Sequence, residues 1–150
     1  MKRNAFTLVE LIFVIVIIGV LSAVAIPKFK SLKQNAEVKA LIKTTTDAAA
    51  SAVSAAVNQS DLEENATVTL GDLVTVQGKG WTYIDDTNGS YEYNTTVGNV
   101  ATIQLNKAAR TVNYTIDCNN FVDTVSKNKC ASDLNKTLAT GLEANTTLSY

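Results

Sequence analysis

The chain has 150 residues, enough for one domain, and a net charge of −1, so no strong attraction to nucleic acid or anionic lipid is expected. It contains no His, which excludes histidine-dependent catalytic triads and argues against most catalytic zinc sites. No nucleophile–base pair or phosphate-binding loop is present in the sequence, so an enzyme is not expected.

The N-terminus combines a basic start with a long apolar run. Lys2 and Arg3 precede FTLVELIFVIVIIGVLSAVAIP, which has no charge from Leu11 to Ile26. The run exceeds the apolar core of a secretory signal, and a helix of its length matches the hydrocarbon thickness of a bilayer. The basic residues predict that the N-terminus stays in the cytoplasm and that the remainder lies across the membrane.

Glu10 does not fit a simple membrane anchor. A carboxylate at membrane depth costs about 2.5–3.5 kcal/mol on insertion scales, and such residues usually have a partner or a function. No Lys or Arg lies between Arg3 and Lys28 to serve as that partner. A new α-amino group would serve if the chain were cut before Phe6, whereas a carboxylate that snorkels or becomes protonated would need no partner.

The stretch NAFTLVELIFVIVIIGVLSAVAIPKF resembles the N-terminus of type IV pilins and type II secretion pseudopilins. The resemblance implies cleavage by a prepilin peptidase between Ala5 and Phe6, although the family favours Gly where this chain has Ala5. It also implies N-methylation of Phe6, contact of Glu10 with the N-terminal amine of a neighbouring subunit, and a helix kink at Pro27. We therefore expect a leader at 1–5, a transmembrane and assembly helix at 6–27, and a periplasmic or extracellular domain at 28–150.

The helix is predicted to continue after Pro27 to about Val57, with two apolar stripes. One stripe is predicted to pack on the chain's own sheet: Val38, Leu41, Ile42, Ala49, Ala52, Val53 and Ala56. The other is predicted to contact neighbouring subunits or, alternatively, to continue a helix beside lipid: Phe29, Leu32, Ala36 and Ala40.

An antiparallel meander is predicted to follow a connecting region at 61–80. Strands are expected at WTYID, SYEYN, 100–105 and 111–116, with a turn at Asn88–Gly89 and NKAAR as a hairpin loop. The predicted fold class is α+β: a long helix packed on a small antiparallel sheet, in agreement with the pilin resemblance.

Cys118 and Cys130 follow the sheet region. Two cysteines in an exported domain usually pair, and many pilins close a C-terminal loop in this way. Two thiols without His make an incomplete zinc site, so no metal site is predicted. Calcium, which some pseudopilins bind in a C-terminal loop, stays an alternative for Asp117, Asp123 and Asp133, although no EF-hand spacing is present.

Seven Asn-x-Ser/Thr triplets occur, at Asn58, Asn65, Asn88, Asn94, Asn113, Asn135 and Asn145. Five have an acidic residue two positions before the Asn, a pattern that resembles the acceptor of bacterial oligosaccharyltransferases. Exposed loops would suit such acceptors. Predicted N-glycosylation sites are therefore Asn65, Asn88, Asn94, Asn135 and Asn145; the competing interpretation is a polar coat in which the acids are accidental.

The sequence thus predicts a structural subunit stored in the inner membrane, single-pass, and assembled into a helical filament with the help of a prepilin peptidase and a membrane assembly platform. A type II secretion pseudopilin is predicted first, and a major type IV pilin for adhesion, motility or DNA uptake is the alternative. A monomeric, membrane-anchored binding module is the alternative of another class. No cofactor is predicted.

Overall fold

The computed structural model describes residues 7–62, 68–136 and 143–150. Along the chain lie the helix α1 (Leu8–Leu62), the short helix α2 (Leu70–Leu73), four strands, the helix α3 (Thr124–Asp133) and a last strand. The strands are β1 (Trp81–Ile84), β2 (Ser90–Asn94), β3 (Asn99–Asn106), β4 (Thr111–Asp117) and β5 (Glu143–Ser149). The chain forms two compact units, one that ends at Gln34 and one that begins at Asn35.

The predicted α+β class is confirmed. All neighbouring strands pair antiparallel in the order β1-β2-β3-β4-β5, which is a meander with β1 and β5 at its edges. One face of the sheet is apolar and is covered by α1, while the opposite face is polar, as expected for an antiparallel sheet with one solvated side.

The stripe of α1 that is predicted to pack on the sheet, here called the inner stripe, forms part of the core. Five of its seven residues are buried (Val38, Leu41, Ala49, Ala52, Ala56), and Ile42 and Val53 are half-buried against the same clusters. The alanines leave little side-chain bulk between helix and sheet, where Ile103 and Leu105 fill the space. Thr45 is also fully buried, and its hydroxyl donates to the carbonyl of Leu41 at 2.8 Å, which offsets the cost of burying a polar group.

The turn between β1 and β2 forms at Asn88–Gly89, as predicted. Gly89 has φ +76°, and an added Cβ would lie 2.5 Å from the Tyr83 hydroxyl, so only glycine fits there. The Asp86 carboxylate accepts from the backbone N–H groups of both turn residues, and Leu70 donates its N–H to the Asn88 carbonyl at 2.8 Å. The Asp86 bonds stabilise the turn, and the Leu70 bond joins α2 to it.

Four features differ from the sequence prediction. The helix α1 ends at Leu62 rather than about Val57, and α2 lies inside the region expected to be a connection. Helix α3 and strand β5 were not predicted at all. In β5 the half-buried positions are Ala144, Thr146 and Leu148, so the apolar alternation that signals a strand is weak. Asn145 lies in this strand rather than in the exposed loop expected for an acceptor.

Strand β5 is held at its end by the C-terminal residue. Tyr150 donates its backbone N–H to the Arg110 carbonyl at 3.0 Å, and the Arg110 Nε donates to the Tyr150 carbonyl at 3.2 Å. The Arg110 guanidinium also lies 5.6 Å from the centre of the Tyr150 ring, a cation–π arrangement. Long-range contacts of this kind stabilise a strand whose own sequence signal is weak.

Candidate assembly site

The first 19 residues of α1, Leu8 to Ile26, form an apolar helical surface that the chain does not cover. Their large side chains are all exposed, from 42% at Ile17 to 74% at Leu8. At about 1.5 Å per residue this segment is about 28 Å long. It is the only part of the described residues long and apolar enough, by length and composition, to span a membrane. Such a surface requires lipid or protein around it.

Glu10 lies in the first turn of α1 and forms a capping box with Thr7. The Glu10 N–H donates to the Thr7 hydroxyl at 3.2 Å, and the Glu10 carboxylate accepts from the Thr7 backbone N–H at 3.4 Å. The Thr7 hydroxyl also donates to the same carboxylate at 3.5 Å. The carboxylate therefore satisfies groups at the helix start within one subunit, in addition to any role between subunits.

Thr7-x-x-Glu10 is a capping-box signature that the sequence analysis missed, although both residues are visible in the sequence. Glu10 therefore has a partner within its own chain, Thr7, besides the partner that the sequence predicts in a neighbouring subunit. The hydrogen bonds are long and exposed, so the capping box gives only a small stabilisation. Ala5 and Phe6, the residues predicted to flank the cleavage site, lie outside the described residues.

Pro27 lies inside α1, which is helical on both sides of it. The Pro27 carbonyl accepts from the Ser31 hydroxyl at 3.2 Å, a local bond that competes for a backbone acceptor near the proline. The residues that follow are exposed, and Phe29 and Leu32 retain 70% and 64% of their surface. Phe29 and Leu32 belong to the other predicted stripe, here called the outer stripe. Within their own compact unit these two side chains are not covered.

Cys118 and Cys130 form a disulfide, as predicted, and both are fully buried. The bond joins the residues after β4 to helix α3, and both sulfurs belong to the core cluster that contains Val38 and Ile116. Phe121 packs in the same cluster. The two ends of the closed loop and Phe121 are therefore part of the hydrophobic core.

The three aspartates considered for calcium each have a structural partner. Asp117 accepts from the Asn119 N–H, Asp123 caps α3 by accepting from the Ser126 N–H at 2.8 Å, and Asp133 pairs with Lys129. Partial burial would raise the pKa of Asp123, but hydrogen bonds from the Ser126 backbone and hydroxyl outweigh it and lower the pKa below its ordinary value. Across 7–62, 68–136 and 143–150, no group of three or more acidic or Cys side chains could hold a metal ion.

Four of the five predicted glycosylation acceptors lie among the described residues. Asn88 is half-buried in the β1–β2 turn, whereas Asn94 at the end of β2, Asn135 after α3 and Asn145 in β5 are exposed. Asn65 lies outside the described residues. The secondary structure expected at Asn145 was wrong, but Asn94, Asn135 and Asn145 are exposed, as expected for acceptors.

Two comparisons with known proteins bear on this arrangement. Residues 1–26 match the model of the prokaryotic N-terminal methylation motif. Over 124 residues the chain is 33% identical to a protein of Thermus thermophilus named type IV narrow pilus major component PilA5, an alignment that covers 83% of this chain and 85% of that relative. This chain belongs to the type IV pilin family. No solved structure shows a significant match to it.

Membership of the type IV pilin family explains why so much apolar surface of this chain is exposed. Type IV pilins are structural subunits, anchored in a membrane through the N-terminal helix, processed by a prepilin peptidase and self-assembled into filaments. A subunit with such a life cycle requires an apolar N-terminal segment that its own chain leaves exposed, as residues 8–26 are. The apolar segment and Glu10 are therefore the candidate assembly surface of this chain.

Proposed function

We propose that this pilin is the structural subunit of a type IV pilus. The observation that carries the proposal is its 33% identity, over most of both chains, to a protein named as the major component of such a pilus. From the sequence, a type II secretion pseudopilin is predicted first and a major type IV pilin is the alternative. The relative's name supports the second of these, and no observation on the described residues favours the first.

The exposed apolar segment supports storage in the inner membrane. Burying a Leu, Ile, Val or Phe side chain stabilises by about 1.5–3 kcal/mol relative to exposure, so the side chains between Leu8 and Ile26 together favour lipid strongly. Lys2 and Arg3 favour a cytoplasmic N-terminus. The disulfide supports a location of the domain at 28–150 outside the cytoplasm, since disulfides persist mainly in oxidising compartments.

Assembly would then exchange lipid for neighbouring subunits. The peptidase cuts between Ala5 and Phe6, Phe6 is methylated, and the new amine of one subunit meets the Glu10 carboxylate of another. In a low-dielectric surrounding, a paired carboxylate costs far less than an unpaired one, so only packing that pairs every Glu10 is favourable. Glu10 would in this way fix the axial register of the filament more than it adds to its strength.

Two further features have roles in this proposal. Pro27 lacks an N–H and clashes with the carbonyl four residues earlier, so it would bend α1 between the assembly segment and the domain. The exposed Phe29 and Leu32 would contact other subunits just beyond that bend. A membrane assembly platform that extracts the processed subunit completes the set of proposed partners.

Mass spectrometry of the mature N-terminus tests the processing step. We expect a first residue at Phe6 carrying one methyl group. An intact Met1, or a cut after Ile26, would contradict the proposal.

Shearing of intact cells distinguishes a pilus from a pseudopilus. We expect surface filaments in which this pilin is the main protein. Filaments confined to the periplasm, with none released by shearing, would instead support the secretion pseudopilin.

A further inference from the structure

The acidic residues before the Asn-x-Ser/Thr triplets are more frequent than composition explains. Five of the seven triplets have Asp or Glu two positions before the Asn. Since 14 of 150 residues are acidic, seven random positions would include fewer than one. Neither the core nor the assembly surface accounts for this pattern, so it calls for a separate explanation.

The spacing places the acid, the acceptor and the hydroxyl residue on one face of an extended segment. Residues at i, i+2 and i+4 of a strand share a face. In the edge strand β5 these are Glu143, Asn145 and Thr147, and all three are exposed while the alternate residues are half-buried. The exposure of these side chains leaves this face open to an approaching enzyme, and β5 has a pairing neighbour on one side only among the described strands.

The triplet at the end of β2 is open for a different reason. The register of the β2–β3 pair shifts between Tyr93 and Asn94, and β2 ends at Asn94. The next residue, Thr95, fixes a turn by donating its hydroxyl to the Asn120 carbonyl at 2.6 Å. Asn94 and Thr96 on either side of it remain exposed.

In both places the carboxylate contacts the acceptor amide. The Asn94 Nδ2 donates to a Glu92 carboxylate oxygen at 3.2 Å, and the Asn145 Nδ2 donates to a Glu143 carboxylate oxygen at 3.1 Å. The same local bond on two different strands orients each amide along the exposed surface. It also places a negative charge beside each acceptor, which suits recognition by a cationic group of a transferring enzyme.

Asn113 shows the contrasting case. It heads a triplet without the acid, on the inner strand β4, where it pairs with Gln104 on one side and Thr147 on the other. The Asn113 Oδ1 is buried and has no hydrogen-bond partner among the described residues. The triplet on this face that lacks the acid thus has a half-buried Asn with a buried amide oxygen, whereas Asn145 is exposed.

We propose that Asn94 and Asn145 are N-glycosylated, with an oligosaccharide transferred from a polyprenyl diphosphate carrier. In the transfer, the Asn Nδ2 forms a bond to the anomeric carbon of the first sugar and releases one proton to the surrounding water. The bond from that carbon to the diphosphate oxygen breaks, and the polyprenyl diphosphate leaves with the electron pair. Glu92 and Glu143 are the positioning residues for the two acceptors.

The other three acid-containing triplets are not part of the proposal, because one is poorly exposed and two extend outside the described residues. In the triplet of Asn88 the hydroxyl residue Ser90 is only 5% exposed in β2, so the folded chain does not present it. The triplet of Asn135 ends at Thr137 and that of Asn65 spans 65–67, outside the described residues. Carbohydrate at Asn94 and Asn145 would enlarge and solubilise the outer surface of the filament.

Intact-mass measurement of the mature pilin from its native host tests the proposal. We expect the wild-type mass to exceed that of the processed, methylated chain by at least two glycan increments. Asn94→Gln and Asn145→Gln should each remove one increment, and the double variant both. Glu92→Gln and Glu143→Gln should each remove the increment of their own triplet, although the triplet itself is intact.

Asn58→Gln is the matched control, because Asn58 is an exposed triplet residue on α1 without the acid, and the mass should change only by the substitution. Equal thermal midpoints for the Glu variants and wild type would show that the fold is intact. A wild-type mass without increments, or increments that survive in the Asn94/Asn145 double variant at their full number, would overturn the proposal. Unchanged glycosylation in both Glu variants would overturn the role of the acids.

Discussion

Two stretches of equal length in helix α1 differ in what covers them. The first, residues 8–26, exposes all of its large apolar side chains. The second, residues 38–56, buries one side of the helix, with Val38, Ala49 and Ala52 fully inaccessible, and leaves polar residues on the other side. The second stretch is stabilised by the chain's own sheet, as a surface helix normally is. The first depends on lipid or on other copies of the chain.

In this pilin, the formation of a helix and the burial of its apolar side chains therefore have separate causes. Both stretches are helical, but only one receives its packing from the same chain. Mutations with the same chemistry should therefore have different consequences in the two stretches and in the domain that covers the second. The following predictions test that difference.

The largest effect is expected from truncating a core isoleucine. Ile103→Ala removes a fully buried side chain from the cluster under α1 and should lower the free energy of unfolding of the domain by about 2–5 kcal/mol. The matched change Ile15→Ala, at a side chain that is 57% exposed, should alter it by no more than about 0.5 kcal/mol. Fluorescence of Trp81, the single tryptophan, reports unfolding of the detergent-solubilised chain because Trp81 packs against both core clusters. Equal effects of the two substitutions would show that the regions do not differ as described.

Removing the disulfide should have the next largest effect. Replacing both Cys118 and Cys130 by Ala opens a loop whose ends are 12 residues apart and should cost about 3 kcal/mol in the chain-entropy model. The thermal midpoint of the domain should fall, whereas the partition of the chain into detergent should not change. Reduction of the wild type should reproduce the lower midpoint, and a midpoint unaffected by either treatment would contradict a stabilising role.

A smaller effect is expected at the cap of α3. Asp123→Ala should cost about 1 kcal/mol because the Ser126 N–H loses its acceptor, whereas Asp123→Asn keeps a side-chain acceptor. The folded pKa of Asp123 is depressed, so its ionised form adds stability that is present above the unfolded value of about 3.9. That contribution is lost as the pH falls through the folded pKa. The stability difference between wild type and Asp123→Asn should therefore shrink on acidification, and a difference independent of pH would argue against this cap.

The sequence predicted those parts of the fold whose signals are local. The Asn-Gly turn, the alternation of Val112, Tyr114 and Ile116, and the inner stripe of α1 each follow from spacing alone. The two cysteines were also paired correctly. Strand β5 was not predicted because the polar Thr146 occupies an inward position, which weakens the apolar alternation. The position of β5 in the sheet depends on long-range bonds such as those between Arg110 and Tyr150.

The candidate site was only partly predictable for another reason. The sequence indicated that Glu10 needs a partner, but the partner in one chain, Thr7, was overlooked although the capping-box spacing is visible. The proposed partner in the filament belongs to another copy, so neither the sequence nor the fold of one chain contains its geometry. The processing site, Glu10 pairing and the bend at Pro27 thus stay predictions.

Separating the two roles of Glu10 is the most direct test of the claim that the first stretch is completed by other subunits. Glu10→Gln retains a side chain that can complete the capping box but removes the charge, whereas Thr7→Ala removes the cap and retains the charge. Filament sheared from cells is measured against subunit held in the membrane. We predict that Glu10→Gln lowers the ratio at least about tenfold, since every 1.4 kcal/mol of lost pairing is a factor of ten, while Thr7→Ala leaves it near the wild-type value. Wild-type filament from Glu10→Gln, or an equal loss in both variants, would contradict the account.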